Sequence, residues 1–197
     1  MNRYSIIGVG LAAAVGGWLV VTFNQLVTLR NRVKQAFAGI DAQLKRRHDL
    51  IPNVLAVAQG YMQHERGTLE AVTQARSQAM VAERPAASDP ADVLAVGTLA
   101  GAESALGGAL FRLLAKFEAY PELKANTTML QLMEELQTTE NRIAFARQSY
   151  NDAVMFYNTA IATFPALLAA KLFGFAEAKP FEIVDPKDRA LVEVKIK

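Results

Sequence analysis

Between Arg30 and Glu65 apolar residues return at three- and four-residue steps: Val33, Phe37, Ile40, Leu44, Ile51, Leu55, Ala58 and Met62. That spacing lays one apolar stripe along a helix, and at about 1.5 Å per residue it predicts a rod of roughly 45 Å or more. One phase break interrupts the stripe, where Arg47 and His48 occupy the expected apolar turn. Asp49 then offers an N-cap, and Pro52 is tolerated only in a first turn or at a kink. The pattern predicts a kink or a re-start there, not a domain boundary.

Upstream, Tyr4 to Phe23 carries no charge, and its last 18 or so residues roughly meet the length a helix needs to cross a bilayer. Tyr4, Trp18 and Phe23 stand near the ends of this stretch, where amphipathic aromatics favour the interface. A signal peptide would have a shorter apolar core and an A-x-A-like site, and none follows Phe23, so an uncleaved anchor is expected. Leu26, Leu29 and Val33 continue the stripe without a loop signal, which makes anchor and first bundle helix one rod. Gly8, Ala12 and Gly16 form a small-xxx-small face of the kind that lets anchor helices approach.

Downstream, Leu69, Val72, Ala75 and Ala79 carry a second helix to about Ala82, and the run from Arg84 to Pro90 reads as the clear inter-helix loop. Residues 91–119 form a helix rich in Ala, Gly and Leu. Glu103 and Ser104 sit at its centre, and a mid-bilayer carboxylate costs roughly 2.5–3.5 kcal/mol, so a bundle helix is expected here and not a second span. Gly97, Gly101 and Ala105 predict a side where another backbone comes close. After Tyr120-Pro121, one of Asn126, Thr127 or Thr128 caps the last long helix. Leu132, Leu136, Thr139, Ile143, Ala146, Tyr150, Val154, Tyr157, Ile161 and Phe164 form its coiled-coil-like seam, with one stutter. Pro165 ends or kinks that helix, Gly174 offers a cap, and the tail alternates weakly from Phe181 and Ile183 to Leu191, Val192, Val194 and Ile196. The expected fold is all-α: an anchor over 4–23, an antiparallel helical bundle over 24–175, and a short extended C-terminal tail over 176–197.

Composition narrows the chemistry. A net charge of +2 over 197 residues gives no basic field for nucleic acid. With no cysteine, disulfides, thiolate metal sites and cysteine nucleophiles are excluded. The only histidines, His48 and His64, lack an i+3 or i+4 partner, so neither a metal nor a cofactor is expected; His48 beside Arg47 reads as a structural contact at the phase break. Glu134, Glu135 and Glu140 lack the E-x-x-H spacing of di-iron bundles. Glu135 with Arg142 and Asn141 reads as inter-helix pairs or a solvated face, and Asn151 and Asn158, seven apart, read as amides that fix helix register. Arg30, Arg32 and Lys34 follow the anchor closely enough to set a cytoplasmic bundle and to meet anionic lipid, at around 1 kcal/mol each. Lys45, Arg46 and Arg47 stand too far along the rod for lipid, so pairing with Asp41, Asp49 or a partner helix is expected. No catalytic set emerges, and the chain reads as no enzyme.

The runs LVTLRNRVKQAF, QLKRRHDLIPN and YMQHE, followed in order by PELKAN, TENRIAFAR, SYNDAV, YNTAI, FP and LFGF, resemble the LemA family over about residues 23–175. The resemblance implies a single N-terminal anchor, an antiparallel helical bundle and a role in membrane organisation. Together with the residue reading it leads to a single-pass scaffold at the bacterial inner membrane, with lipid and copies of itself as partners. The other reading is a regulatory binding module that presents its bundle to a membrane protein such as a protease or sensor.

Overall fold

The computed structural model describes residues 3–182, and these form helices joined by short turns with no strand among them. The alternating residues of the tail beyond Glu182 lie outside the described residues. Helix α1 (Arg3–Gln59) is one unbroken element of 57 residues. A turn and a short 3-10 helix (Gln63–Glu65) lead to α2 (Arg66–Ser88), then α3 (Val93–Phe117), the single turn α4 (Pro121–Lys124), α5 (Thr127–Ala162) and α6 (Ala166–Phe173). The pairing of α1 with α5 and of α2 with α3 dominates the bundle, and α1 also touches α2 and α6.

Two helix starts carry side-chain caps, of which Asn126 is one that the sequence offers. Asp92 Oδ1 accepts from the Leu94 and Ala95 N–H groups, and Asn126 Oδ1 from Met129. Two proline readings need correction. Pro52 lies inside α1, so the helix neither re-starts there nor uses Asp49 as a cap. A proline has no N–H for the carbonyl four residues back, here that of His48, and the Arg76 Nε–H of α2 supplies the missing donor at 2.6 Å. Nor does the run after Arg84 open a loop: α2 continues through Pro85 to Ser88. Ala86 extends the buried stripe of Ala79 and Ala82, while Val81 and Pro85 are exposed, so the turn that loses a hydrogen bond faces water.

The core falls into two parts. Nearer the anchor, Val33, Phe37, Ile40 and Leu44 pack with Val96, Leu99, Ile143, Tyr150 and Val154. Farther away, Ile51, Val54 and Leu55 pack with Val72, Leu106, Leu113 and Met129. The α5 seam is buried from Leu136 through Ile161, but Phe164 is not part of it: α5 ends at Ala162, and Phe164 is exposed. The residue before a proline is pushed out of the helical region, which takes Phe164 off the stripe. Helix α3 is apolar enough to span a membrane by composition, yet it buries one whole face in the bundle with Glu103 at its centre.

Helix α6 leaves α5 at 98° and ends at Gly174, whose φ of 70° is the left-handed cap conformation. The chain then runs back along α5 as an extended strap, held by two Tyr-Asn pairs. Tyr157 Oη donates to Ala176 O, and the Asn158 amide both donates to Ala178 O (2.8 Å) and accepts from its N–H (2.9 Å). One turn-pair earlier on α5, Tyr150 Oη donates to Lys179 O, and the Asn151 amide pairs with both main-chain groups of Phe181. The match is metric. Seven helical residues advance about 10.5 Å, and three extended residues cover about 10 Å, so the same contact repeats. Phe181 is thereby fully buried against Phe37.

Candidate functional site

Between the two apolar cores lies a layer of charge at the level of the phase break in α1. Arg47, His48, Glu83 and Glu103 are buried there, one or two from each of α1, α2 and α3, and Glu140 of α5 closes the fourth side. Each occupies a position that its helix otherwise gives to the core: Glu103 follows Ala100 and precedes Leu106, and Glu83 follows Ala79 and precedes Ala86.

The Arg47 guanidinium pairs with Glu103 and forks onto both Glu140 oxygens, at 2.8 and 3.1 Å. His48 Nε2 lies 2.8 Å from Glu103 Oε1, and Nδ1 lies 3.1 Å from Glu83 Oε2. Burial, reinforced by the nearby Arg47 and Arg76 cations, holds the His48 pKa down at about 4, so the ring is neutral at pH 7. Burial and the neighbouring Asp41 carboxyl push Glu83 up to about 7, against the opposing pull of Lys45. A neutral imidazole has one N–H for two carboxyl groups. That N–H serves Glu103 or Glu83 but not both, and the hydrogen bond with Asp41 helps to raise the Glu83 pKa. Lys45 Nζ meanwhile pairs with Asp41 at 2.6 Å and lies 3.7 Å from Glu83.

This arrangement ties helices together. Arg47 links α1 to α3 and α5, and His48 links α1 to α2 and α3. Among the described residues no group of three His, Asp or Glu side chains has the geometry to hold a metal; the arginine fills the place a cation would take between the carboxylates of α3 and α5. The Glu140 end of the layer opens into a groove of about 350 Å³ between α3 and α5, whose walls include Phe111, Met133 and Arg147.

The sequence pointed to Arg47 and His48 through the phase break, and His48 does make structural contacts there. Lys45 pairs with Asp41 as expected, whereas Arg46 and Asp49 are exposed, Asp49 at the rim of the cleft that His48 and Glu83 line. Asn141 and Arg142 are also exposed, with Asn141 accepting from Gln137. Asn151 and Asn158 hold the strap, not the register of two helices. Gly97 is approached by the Lys179 side chain, and among the described residues no atom lies within 4 Å of a Cβ placed at Gly101, so the close backbone expected at these two positions is not found there. The anchor residues Gly8, Ala12 and Gly16 are exposed, as are Arg30, Arg32 and Lys34 beyond them. Glu83, Glu140 and Arg76 were missed as members of the layer; a charge at a core position of an apolar stripe was the available signal for Glu83, and none marked the partly exposed Glu140 and Arg76.

The sequence is similar to those of known proteins. A family model described as the LemA family matches residues 36–196. Magnetosome protein MamQ 2 of Paramagnetospirillum magneticum is 26% identical over 197 residues, which cover 92% of this chain and 72% of the relative. Magnetosome protein MamQ of Magnetospirillum gryphiswaldense is 24% identical over 193 residues, covering 90% and 71%. Protein LemA of Metamycoplasma hominis is 28% identical over 141 residues, covering 72% and 60%.

Proposed function

The chain belongs to the LemA family, and from that premise we propose that it is a single-pass membrane scaffold that self-assembles to organise or shape the bacterial inner membrane. One observation carries the reading: α1 is a single helix from anchor to distal core. Its first turns stand clear of the bundle with their apolar side chains exposed, while the rest is the central element of the bundle. A bundle so joined to its anchor has no hinge, so the position of one copy in the bilayer fixes that of its bundle. The ionic layer supports a structural role, since its charges are spent on one another. The magnetosome relatives are likewise named for a cell structure and not for a reaction.

Self-assembly rests on the anchor face of Gly8, Ala12 and Gly16, where small residues let backbones approach and gain dispersion contacts over a long strip. Wild type in mild detergent is expected to scatter light as a homo-oligomer, and Ala12→Leu with Gly16→Leu to weaken it. A monomeric wild type overturns the scaffold. It would favour a regulatory module that offers the α3–α5 groove to a membrane protein, a reading that the half-exposed Phe111 in that groove supports. The basic residues Arg30, Arg32 and Lys34 after the apolar segment support a bundle on the cytoplasmic side. Protease added to intact spheroplasts should leave it whole, and digestion there reverses the orientation.

A further inference from the structure

We infer that α6 is a second membrane contact, a short helix lying in the interfacial layer of the leaflet from which the anchor emerges, with its apolar face in the lipid. The inference rests on the proposed crossing of the bilayer by the start of α1.

Its basis is the place where α6 docks. The mainly apolar run of α1 ends at Phe23, before Asn24 and Gln25 and about two turns ahead of the first charge at Arg30, and the Phe23 ring is met edge-on by Phe173 at the end of α6 (4.9 Å between centroids) and by Phe175 (5.7 Å). Ala169 and Ala170 turn the other side of α6 inward, and Ala170 shares a core with Leu26. The helix is therefore fixed to α1 within a turn of the point where the apolar segment stops, and that point defines the bilayer surface. The 98° turn from α5, itself antiparallel along α1, lays α6 across the anchor and so along the plane of that surface.

What α6 turns outward fits this position. Leu168 and Leu172, four residues apart on one face, are 56% and 68% exposed, and Phe164 just before the helix is 75% exposed. No other described residue covers them. Their face lies away from the alanines that pack on α1, as expected for an interfacial helix with one side on protein and one in lipid. Lys171, exposed between the two leucines, has the stem length to rest on the apolar layer with its ammonium among headgroups. A membrane is favoured over a second copy as the occupant, because the patch continues the lipid-facing surface of the anchor.

The test uses the full chain in phosphatidylcholine–phosphatidylglycerol vesicles. Trp18 is the sole tryptophan and reports on the anchor in the wild type. In a Trp18→Phe background, Leu168→Trp and Leu172→Trp each place the reporter on the open face of α6, and Phe145→Trp places it on exposed α5, away from the anchor. Lipid labelled with a quencher near the headgroup should reduce Leu168→Trp emission roughly twofold or more relative to Phe145→Trp, with a blue shift, and lipid labelled deep in the chain should do less. Leu172→Trp should behave in the same way. Water-like, unquenched emission from both α6 reporters, with Trp18 quenched by the deep label, overturns the inference and leaves the anchor in place. An unquenched Trp18 removes the anchor and the inference with it. A blue shift that grows with protein concentration and ignores the lipid label gives the face to a second copy, and also overturns it.

Discussion

The Arg76 Nε–H donates over 2.6 Å to the carbonyl oxygen of His48, the acceptor that Pro52 leaves without a donor four residues on. A partner from α2 thus makes a proline tolerable in the middle of α1. A buried acceptor left unpaired costs about 1–3 kcal/mol, so Arg76→Ala should lower the stability of the full chain by that order. In a Pro52→Ala background the helix supplies its own N–H, and the same substitution should cost much less. Denaturant unfolding in detergent of the four proteins of this cycle gives the coupling. Equal costs in both backgrounds would mean that Arg76 serves some other group.

The Arg47–Glu103 pair predicts a different coupling. Breaking a buried pair from one side leaves a charge without its partner, at about 3–5 kcal/mol, whereas replacing both charges with apolar residues of similar volume is often nearly neutral. Glu103→Leu alone should destabilise strongly, and Arg47→Met with Glu103→Leu should recover most of the loss, since half-exposed Glu140 can turn to water. A double variant as unstable as the worse single variant would show that the layer acts through geometry that apolar side chains cannot replace.

Two shifted groups give stability an opposed pH dependence. Glu83 has its pKa raised from 4.5 to about 7 in the folded chain. Its contribution is fully present below about 4.5 and is lost as pH rises through about 7. His48 is lowered from 6.5 to about 4, so its contribution is present above about 6.5 and is lost as pH falls through about 4. The two slopes largely cancel between about 4.5 and 6.5. Glu83→Gln removes one of them: relative to wild type, the variant should become progressively more stable between pH 5 and 8. Melting temperatures of the two proteins that move in parallel across this range would place the Glu83 titration elsewhere.

Much of this was legible in the sequence because periodicity is a local signal. The rod from Arg30 and the α5 stripe follow from spacing alone, and the apolar start of α1 follows from its lack of charge. What spacing could not give is the relative height of antiparallel helices, which depends on turn geometry. Arg47, His48 and Glu103 were each visible as charges in apolar stripes, but their meeting with Glu83 and Glu140 at one level was not. Both internal prolines were misread for a related reason. A proline is judged by its own helix, and Arg76 stands 24 residues away on the next one.

Helix α5 holds the strap with side-chain amides, which leads to the last prediction. Asn158 makes two hydrogen bonds to the main chain of Ala178, and Asn151 does the same three strap residues on. An asparagine can do this because its amide presents a donor and an acceptor side by side, as a neighbouring strand's backbone would. Aspartate has the same shape but no donor, and sets a carboxylate against the Ala178 carbonyl. Asn158→Asp should therefore release the strap nearly as well as Asn158→Ala. A purely steric role for Asn158 would spare the aspartate variant. The loss should spread, since the strap seats Phe181, whose removal from a full core site would cost about 3–5 kcal/mol. Limited proteolysis reads it directly: cleavage between Phe175 and Glu182 should be slow in wild type and fast in both Asn158 variants, with Phe181→Ala faster still. Asn158→Gln keeps both groups but moves them one methylene outward, out of step with the strap. It too should be cut quickly, and a protected glutamine variant would show that the match of seven helical to three extended residues is looser than the distances require.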